Sequence, residues 1–276
     1  MLTRDCPGVS SQIGQLNRGK MKRLILLFSR WLAFSVAAAA TAASKEARFF
    51  ELRIYYAAPG KLDAMNARFR DHALRLFERH GMTNIGYWMP LANTEGDLIY
   101  LLAYPGREAR EKSWKEFYAD PEWQAAFKES EKDGQLVAKY ESIYLTAADF
   151  SSEVRPLFAQ PARTFELRVY KCTPNNLPNL LTRFRDHTVA LFAKHGMTQI
   201  GYWIPADKDK GADDTMIYVL AHNSKEAAAE SFKNFRTDPE WVTAQKLSED
   251  RAGGSLTAPD GVKSTFMVPT DYSPMK

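Results

Sequence analysis

Two copies of a short polar pattern carry the residues best suited to chemistry. In the first copy, Glu51, Arg53 and Tyr55 alternate with apolar residues. Alternate residues of an extended strand point to the same side, so the carboxylate, the guanidinium and the phenol would share one face. Such a trio forms a buried ion-pair network or lines a polar pocket, and in both cases the charges must be paired. The second copy consists of Glu166, Arg168 and Tyr170.

One histidine in each copy follows the same four residues, Arg-Phe-Arg-Asp. These are His72 and His187, and each lies on or beside the apolar face of a predicted helix. An imidazole in that position could shuttle protons, ligate haem or form part of the core. Trp88 and Trp203 end the second predicted strand of each copy, where an indole belongs to the core or the seam more often than to a ligand platform. These four side chains and the two polar trios are the candidate ligand-binding residues.

The pattern around these residues is a duplication. Four sequence blocks recur with a constant spacing of 115 residues, and a fifth, Asp-Pro-Glu-Trp, recurs from 120–123 at 238–241. Chance similarity does not keep a constant spacing across so many blocks, so the chain contains one unit used twice. The four blocks of the first copy are Phe-Glu-Leu-Arg-Ile-Tyr at 50–55, Arg-Phe-Arg-Asp-His at 68–72, His-Gly-Met-Thr at 80–83 and Ile-Gly-Tyr-Trp at 85–88.

Each unit has the predicted order β-α-β-β-α-β. Asp120 suits a helix N-cap and Pro121 suits the first helical position, so the second helical region breaks there. Apolar periodicity predicts the following elements of the first unit: a strand at 49–56, a helix at 61–80, strands at 82–90 and 97–104, helices from 107 onward and a strand at 137–146. In the second unit it predicts a strand at 164–171, a helix at 177–195 and a final strand at 262–269.

This order is that of a ferredoxin-like fold, whose helices cover one face of the sheet. Two copies can bury their open faces against each other. The predicted fold is therefore α+β, with two ferredoxin-like repeats packed as an intrachain pseudo-two-fold dimeric α/β barrel. We expect the apolar residues of the first strand to pack under the helices and the polar trio to face the other copy, at the seam between the repeats. The predicted boundaries are 48–147 and 163–270 for the domains, 148–162 for a linker and 271–276 for a C-terminal tail.

Residues 1–43 have the features of a cleavable signal peptide. A short basic stretch precedes an apolar run and an Ala-x-Ala pattern. Met21 begins the basic stretch and competes with Met1 as the initiator, in which case 1–20 is an upstream extension. The pattern predicts export to a bacterial periplasm or out of the cell, with mitochondrial targeting as the alternative. Ser29 and Arg30 interrupt the apolar run, so we expect no stable membrane anchor after cleavage.

Charge and motif content exclude several classes of function. Without residues 1–43 the chain carries 31 basic and 32 acidic residues, so its total charge does not favour a nucleic-acid partner. Cys172 is then the only cysteine, and we expect it to be a small buried residue rather than half of a disulfide. Phosphate-binding glycine loops, nucleophile elbows and zinc-ligand spacings do not occur in the sequence. No motif nominates a catalytic residue, and no metal site is predicted.

The repeated blocks, together with the Asp-Pro-Glu-Trp helix start, resemble the NIPSNAP family. The resemblance covers about 49–146 and 164–270 and implies tandem NIPSNAP domains of the dimeric α/β-barrel superfamily. Known eukaryotic members are linked to mitochondria, vesicle traffic and mitophagy signalling. The predicted export signal departs from that setting, so these roles are not carried over. The wider superfamily includes small monooxygenases and haem-handling proteins.

Two functions are compatible with these observations. The first is an exported binding module without a cofactor, which holds a small molecule or a protein partner at the seam between the repeats. The second is a cofactor-poor monooxygenase or a haem-handling enzyme, with haem near His72 or His187. A homo-oligomer is compatible with both.

Overall fold

The computed structural model describes residues 49–276, so the predicted leader and the choice of initiator lie outside the described residues. The first repeat follows the predicted order, and a π-helical segment, Phe69–Ala73, interrupts its first helix. Its elements are β1 (Phe49–Ala57), α1 (Leu62–Arg68), α2 (Leu74–Arg79), β2 (Thr83–Pro90), β3 (Asp97–Tyr104), α3 (Arg107–Ala119), α4 (Pro121–Ser130) and β4 (Val137–Ala147).

The second repeat has the same order and a second π-helical segment, Phe184–Thr188. Its last strand begins at Thr257, five residues before the predicted start, because Pro259 and Gly261 obscure the strand pattern. No helix within residues 49–276 is both long enough and apolar enough to cross a bilayer. The elements are β5 (Thr164–Cys172), α5 (Leu177–Arg183), α6 (Val189–Lys194), β6 (Thr198–Pro205), β7 (Thr215–His222), α7 (Lys225–Thr237), α8 (Pro239–Ala252) and β8 (Thr257–Pro269).

The eight strands close into one barrel in the order β1-β3-β2-β8-β5-β7-β6-β4. Within each repeat the first strand pairs with the third and the fourth, as a ferredoxin-like sheet requires. The two repeats join through β2 with β8 and through β4 with β6, and both pairs are antiparallel. This arrangement confirms the predicted intrachain α/β barrel. Closure leaves no sheet edge between the repeats for another chain to extend.

The barrel interior is apolar and tightly packed. The Trp88 ring lies 5.4 Å from that of Phe165, and the Trp203 ring lies 5.5 Å from that of Phe50, so each indole packs on the first strand of the other repeat. Each indole also crosses the glycine two residues before it, where a Cβ atom would overlap the ring. A cavity of about 10 Å³ inside the barrel is too small for a ligand.

The first-strand side chains face the opposite way from the prediction. Phe50 and Leu52 lie inside the barrel, whereas the Glu51 trio lies on the outer face beneath the helices of its own repeat. The interior is enclosed by the strands of the barrel and offers apolar neighbours only. The helix side supplies Arg110 and Trp114, which pair with the Glu51 carboxylate and so offset the cost of burying it. The predicted location of the site, at the seam between the repeats, is therefore wrong for the polar trios.

The junction between the two outer helices of each repeat is fixed by an aspartate. Asp120 accepts a hydrogen bond from the backbone N–H of Glu122 at 2.8 Å, which confirms it as the N-cap of α4. It also pairs with His80 at the end of α2, at 2.8 Å from Nε2. Hydrogen bonding to this imidazole lowers the pKa of the Asp120 carboxyl to about 2. His195 and Asp238 form the equivalent pair at 2.8 Å. In each repeat the histidine therefore connects the end of the first helical region to the start of the last helix.

The segments after each last strand, 148–152 and 270–274, are equivalent crossing arms. The backbone N–H of Tyr202 donates to Ser151 Oγ at 3.0 Å, and that of Tyr87 donates to Ser273 Oγ at 3.0 Å. Each arm therefore leaves its own repeat and binds the second strand of the other. In the described chain the predicted linker and tail are thus parts of the barrel packing, and Met275 reaches the interior.

Candidate functional site

The Glu51 carboxylate is the centre of a buried hydrogen-bond network in the first repeat. It is fully buried, and Arg53 donates to its Oε1 at 2.7 Å while Arg110 donates to both oxygens, at 2.8 and 3.0 Å. Burial alone would raise the pKa of this carboxyl, but the two guanidinium groups outweigh it and lower the pKa to about 2. The remaining donors are Tyr104 at 2.9 Å, Trp114 at 2.9 Å and Ser142 at 2.7 Å.

The Arg53 guanidinium connects this network to aromatic rings. Its central carbon lies 4.4 Å from the Trp114 ring centroid, 4.8 Å from that of Tyr140 and 5.3 Å from that of Tyr55. It also donates to the Tyr55 hydroxyl at 3.1 Å. A guanidinium held against ring faces and a carboxylate has little freedom to rotate. These contacts therefore hold three rings in defined orientations.

A pocket of about 370 Å³ lies beside these rings, between the outer face of the sheet and the helices of the first repeat. Nine of its fourteen lining side chains are aromatic. Tyr118, Phe127 and Tyr140 are 51%, 43% and 58% exposed and form its rim. The full lining is Tyr55, Arg68, Phe69, Ala73, Phe77, Trp114, Phe117, Tyr118, Trp123, Phe127, Glu131, Gln135, Val137 and Tyr140.

Arg68 is the buried cation of the pocket lining. Its side chain is 4% exposed, and it donates to Glu131 at 2.9 Å. Its guanidinium lies 5.1 Å from the Phe127 ring centroid and 5.6 Å from that of Trp123. The Arg68 Nε–H finds no hydrogen-bond partner within residues 49–276. The wall therefore combines ring faces with one ion pair and an unused donor.

The equivalent network in the second repeat has different partners. Glu166 accepts from Arg168 and Ser264, as Glu51 accepts from Arg53 and Ser142. His222 replaces Tyr104 and lies 3.0 Å from a Glu166 oxygen. Alanine and phenylalanine replace the arginine and the tryptophan of α3, at Ala228 and Phe232. These partners were missed from the sequence, although the 118-residue spacing aligns Tyr104 with His222.

The pocket wall also differs between the repeats. Strand register aligns Tyr140 with Val262, and the 118-residue spacing aligns Tyr118 with Arg236 and Phe127 with Gln245. The Arg236 side chain folds back and donates from Nε to the Phe232 carbonyl at 3.1 Å. The three aromatic rim residues of the first repeat therefore have no aromatic counterparts in the second.

The structure divides the candidate residues among three places. The two polar trios each form one chain of hydrogen bonds beneath their own helices. Trp88 and Trp203 lie in the barrel interior. His72 and His187 lie half-buried in the π-helical segments, and His72 does not line the pocket. Cys172 is buried, as predicted, and burial raises the pKa of its thiol to about 11.

The arrangement suits binding by shape and ring contacts. Pockets for small molecules are mostly apolar, with a few polar groups that orient the ligand, and this pocket has that composition. Within residues 49–276, no three His, Cys, Asp or Glu side chains cluster in a way that could hold a metal ion. Glu131 is the one carboxylate in the lining, and it is already paired with Arg68.

Comparison with known families matches both repeats. The NIPSNAP family profile covers residues 50–152 and 165–274, which include both polar trios and the whole pocket lining. No functionally curated protein is significantly similar to the chain in sequence.

Two solved structures share the fold of the whole barrel. A candidate monooxygenase from Lactobacillus acidophilus superposes with a TM-score of 0.52 over 81% of this chain and 94% of that chain, at 12% identity. Another, from Fusobacterium nucleatum, gives 0.53 over 81% and 92%, at 9% identity. An uncharacterized NIPSNAP domain protein from Burkholderia xenovorans is 24% identical, with a TM-score of 0.33 over 37% of this chain and 96% of that chain. At 12% and 9% identity, the likeness to the two candidate monooxygenases concerns the fold alone.

Proposed function

This chain belongs to the NIPSNAP family, and we propose that it is a binding module that holds a small, flat, largely apolar molecule in the pocket of its first repeat. The observation that carries the proposal is the pocket itself, whose volume of about 370 Å³ is bounded mainly by aromatic rings. Ligand sites of this kind typically measure about 300–1,000 Å³. A flat molecule could stack on the rim residues and reach the enclosed rings behind them.

The buried network supports the proposal because it orients the aromatic side chains of the pocket before a ligand binds. Trp114 is oriented by Glu51, and Arg53 holds the Tyr55 and Tyr140 rings. A site whose walls are already ordered loses little conformational entropy when a ligand binds. The sequence-based hypothesis of a small-ligand module is thereby retained, with the site moved from the seam to the helix side of the first repeat.

The enzyme alternative finds less support in this pocket. The two monooxygenase-like neighbours are too dissimilar in sequence for their chemistry to be carried over. A haem site in this pocket would need an imidazole in the cavity wall, but the lining contains none, and His187 belongs to the other repeat. Titration with haem distinguishes the two functions, since a Soret shift that is lost in both His72→Ala and His187→Ala would favour the enzyme.

Binding can be tested by exchanging rim residues between the repeats. The double substitution Tyr118→Arg and Tyr140→Val installs the residues of the second repeat at exposed positions, where folding should tolerate them. We expect the affinity for 2-naphthalenemethanol, measured by calorimetry or tryptophan fluorescence, to fall at least about tenfold, because two ring contacts are lost.

The matched control is the reciprocal pair Arg236→Tyr and Val262→Tyr, which leaves the first repeat unchanged. It should bind the probe with the affinity of the wild-type protein. Equal affinities in all three proteins would place the binding elsewhere and refute the proposed site. If the wild-type protein does not bind 2-naphthalenemethanol, the proposal that the pocket holds flat apolar molecules is refuted.

A further inference from the structure

The charges around the pocket indicate which flat molecules it selects. We propose that the ligand is an aromatic acid, a planar ring system that carries one anionic oxygen group. This inference rests on the proposed function and adds the charge of the ligand to it. It follows from three observations around the pocket. Buried arginines outnumber buried glutamates, guanidinium groups lie over many of the aromatic rings, and several hydrogen-bond donors have no partner within the described residues.

Buried cations outnumber buried anions around the pocket. Arg53, Arg68 and Arg110 have side chains that are 3%, 4% and 11% exposed. The carboxylates that pair with them are Glu51, which is fully buried, and Glu131, which is 20% exposed. Arg110 has a further partner, Glu111, but that side chain is 59% exposed, so water screens its charge. One positive charge therefore remains uncompensated by buried groups.

More than half of the aromatic rings in the lining already face the protein's own cations. Aromatic boxes usually attract cationic ligands through the negative faces of their rings. Here Arg53 lies over Tyr55, Trp114 and Tyr140, and Arg68 lies over Trp123 and Phe127, so five of the nine aromatic rings of the lining face a guanidinium. A ligand cation would compete with these guanidinium groups for the same faces and would be repelled by them. The aromatic lining thus disfavours a cation.

Donors remain free for an anionic oxygen. The Arg68 Nε–H is without a partner in the described chain, and the hydroxyls of Tyr118 and Tyr140 form no hydrogen bond with any of residues 49–276. Partial burial raises the pKa of the half-exposed Tyr118 to about 12, so its hydroxyl keeps its proton at neutral pH. A carboxylate at the rim would meet phenolic donors, and one that reached the wall would meet a guanidinium. Hydrogen bonds to a charged acceptor are about twice as strong as those between neutral groups.

Three naphthalene probes of equal shape test the charge. 2-Naphthoate is anionic, 2-naphthalenemethanol is neutral and 2-naphthylmethylammonium is cationic. We expect calorimetry on the full protein at neutral pH to rank them in that order of affinity, with naphthoate at least about tenfold tighter than the alcohol. An ammonium or alcohol probe that binds as tightly as naphthoate would overturn the inference and leave the proposed function intact. Failure of all three to bind would refute the proposed function itself.

Substitutions of Arg68 in the lining and of Arg110 behind it show whether the preference arises at this pocket. Arg68→Gln should reduce the preference for naphthoate over the alcohol to less than about threefold while the alcohol keeps its affinity. Arg183→Gln is the matched control, because Arg183 pairs with Glu249 in the second repeat as Arg68 pairs with Glu131. It should cost similar stability and leave the preference unchanged.

Arg110→Ala provides a second variant if Arg68→Gln does not fold. It installs the residue of the second repeat, Ala228, and removes the excess positive charge while Arg68 stays in place. We expect the preference for naphthoate to fall here as well. A preference that survives both substitutions would show that the charges of Arg68 and Arg110 do not select the ligand.

Discussion

Arg110 donates two hydrogen bonds to Glu51 in the first repeat, whereas the equivalent residue of the second repeat, Ala228, has no side chain that could donate to Glu166. The Glu166 carboxylate pairs instead with Arg168, Ser264 and His222. The two repeats therefore keep the same buried glutamate and the same arginine two residues later, but they complete the ion-pair network differently. The aromatic pocket lies in the first repeat, beside the network that contains the additional arginine.

Removing this arginine should destabilise the protein to a limited extent. Arg110→Ala deletes two charge-assisted hydrogen bonds, but Glu51 keeps Arg53, Tyr104, Trp114 and Ser142. We expect the free energy of unfolding to fall by about 1–3 kcal/mol, measured by urea denaturation. Lys112→Ala, at an exposed position of the same helix, is the control and should change it by less than about 0.5 kcal/mol. An Arg110→Ala protein as stable as the control would contradict a central role for Glu51.

Stability should also fall with acid as Glu51 becomes protonated. The pKa of this carboxyl is about 2 in the folded protein against 4.5 for the free group, so the folded state favours the ionised form. The resulting stability is fully present above pH 4.5 and is lost as pH falls toward 2, and it amounts to about 3 kcal/mol.

The Glu51→Gln variant isolates this contribution. Its free energy of unfolding should be lower at neutral pH and should depend less on pH between 4.5 and 2 than that of the wild-type protein. Glu108→Gln, at an exposed position of α3, is the control and should reproduce the wild-type slope. Parallel curves for wild type and Glu51→Gln would show that the carboxylate is not ionised in the folded state as inferred.

A single methyl group at Gly86 should disturb the barrel interior. The Trp88 ring crosses this glycine, so Gly86→Ala forces the indole to move within a packed core. We expect a loss of about 1–3 kcal/mol and a changed near-ultraviolet circular dichroism spectrum. Gly106→Ser is the control, because it meets open space and places the residue of the second repeat, Ser224, at the same helix start. Similar melting temperatures for both variants would argue against the close approach of the Trp88 ring.

The crossing arms should contribute equally to the stability of the barrel. Ser273→Ala leaves the buried N–H of Tyr87 without its acceptor, and Ser151→Ala does the same to Tyr202. We expect each to lower the free energy of unfolding by about 1–2 kcal/mol in urea denaturation, the cost of an unsatisfied buried donor. The exposed neighbour Ser152 gives the control, Ser152→Ala. If Ser273→Ala does not change the free energy of unfolding, the second arm does not stabilise the barrel through this hydrogen bond.

Much of the fold could be predicted because duplication and periodicity are properties of the linear chain. Five recurring blocks established the two repeats, and the strand, helix and cap positions followed from local patterns such as the Asp120–Pro121 helix start. The ferredoxin-like order then left few ways to bury two open sheet faces, so the barrel could be anticipated.

The orientation of the polar trios was decided by the tertiary structure alone. Alternation along β1 shows that Glu51 and Leu52 lie on opposite faces, but it does not show which face the barrel encloses. That depends on where buried charge finds partners, and Arg110 and Trp114 come from a helix about 60 residues away in the chain. The pocket likewise forms where aromatic residues of α3, α4 and β4 meet the sheet. These residues are far apart in the chain, so their proximity could not be predicted from sequence spacing. The sequence thus determined which elements exist and that they occur twice, whereas the packing of helix on sheet decided where a ligand could bind.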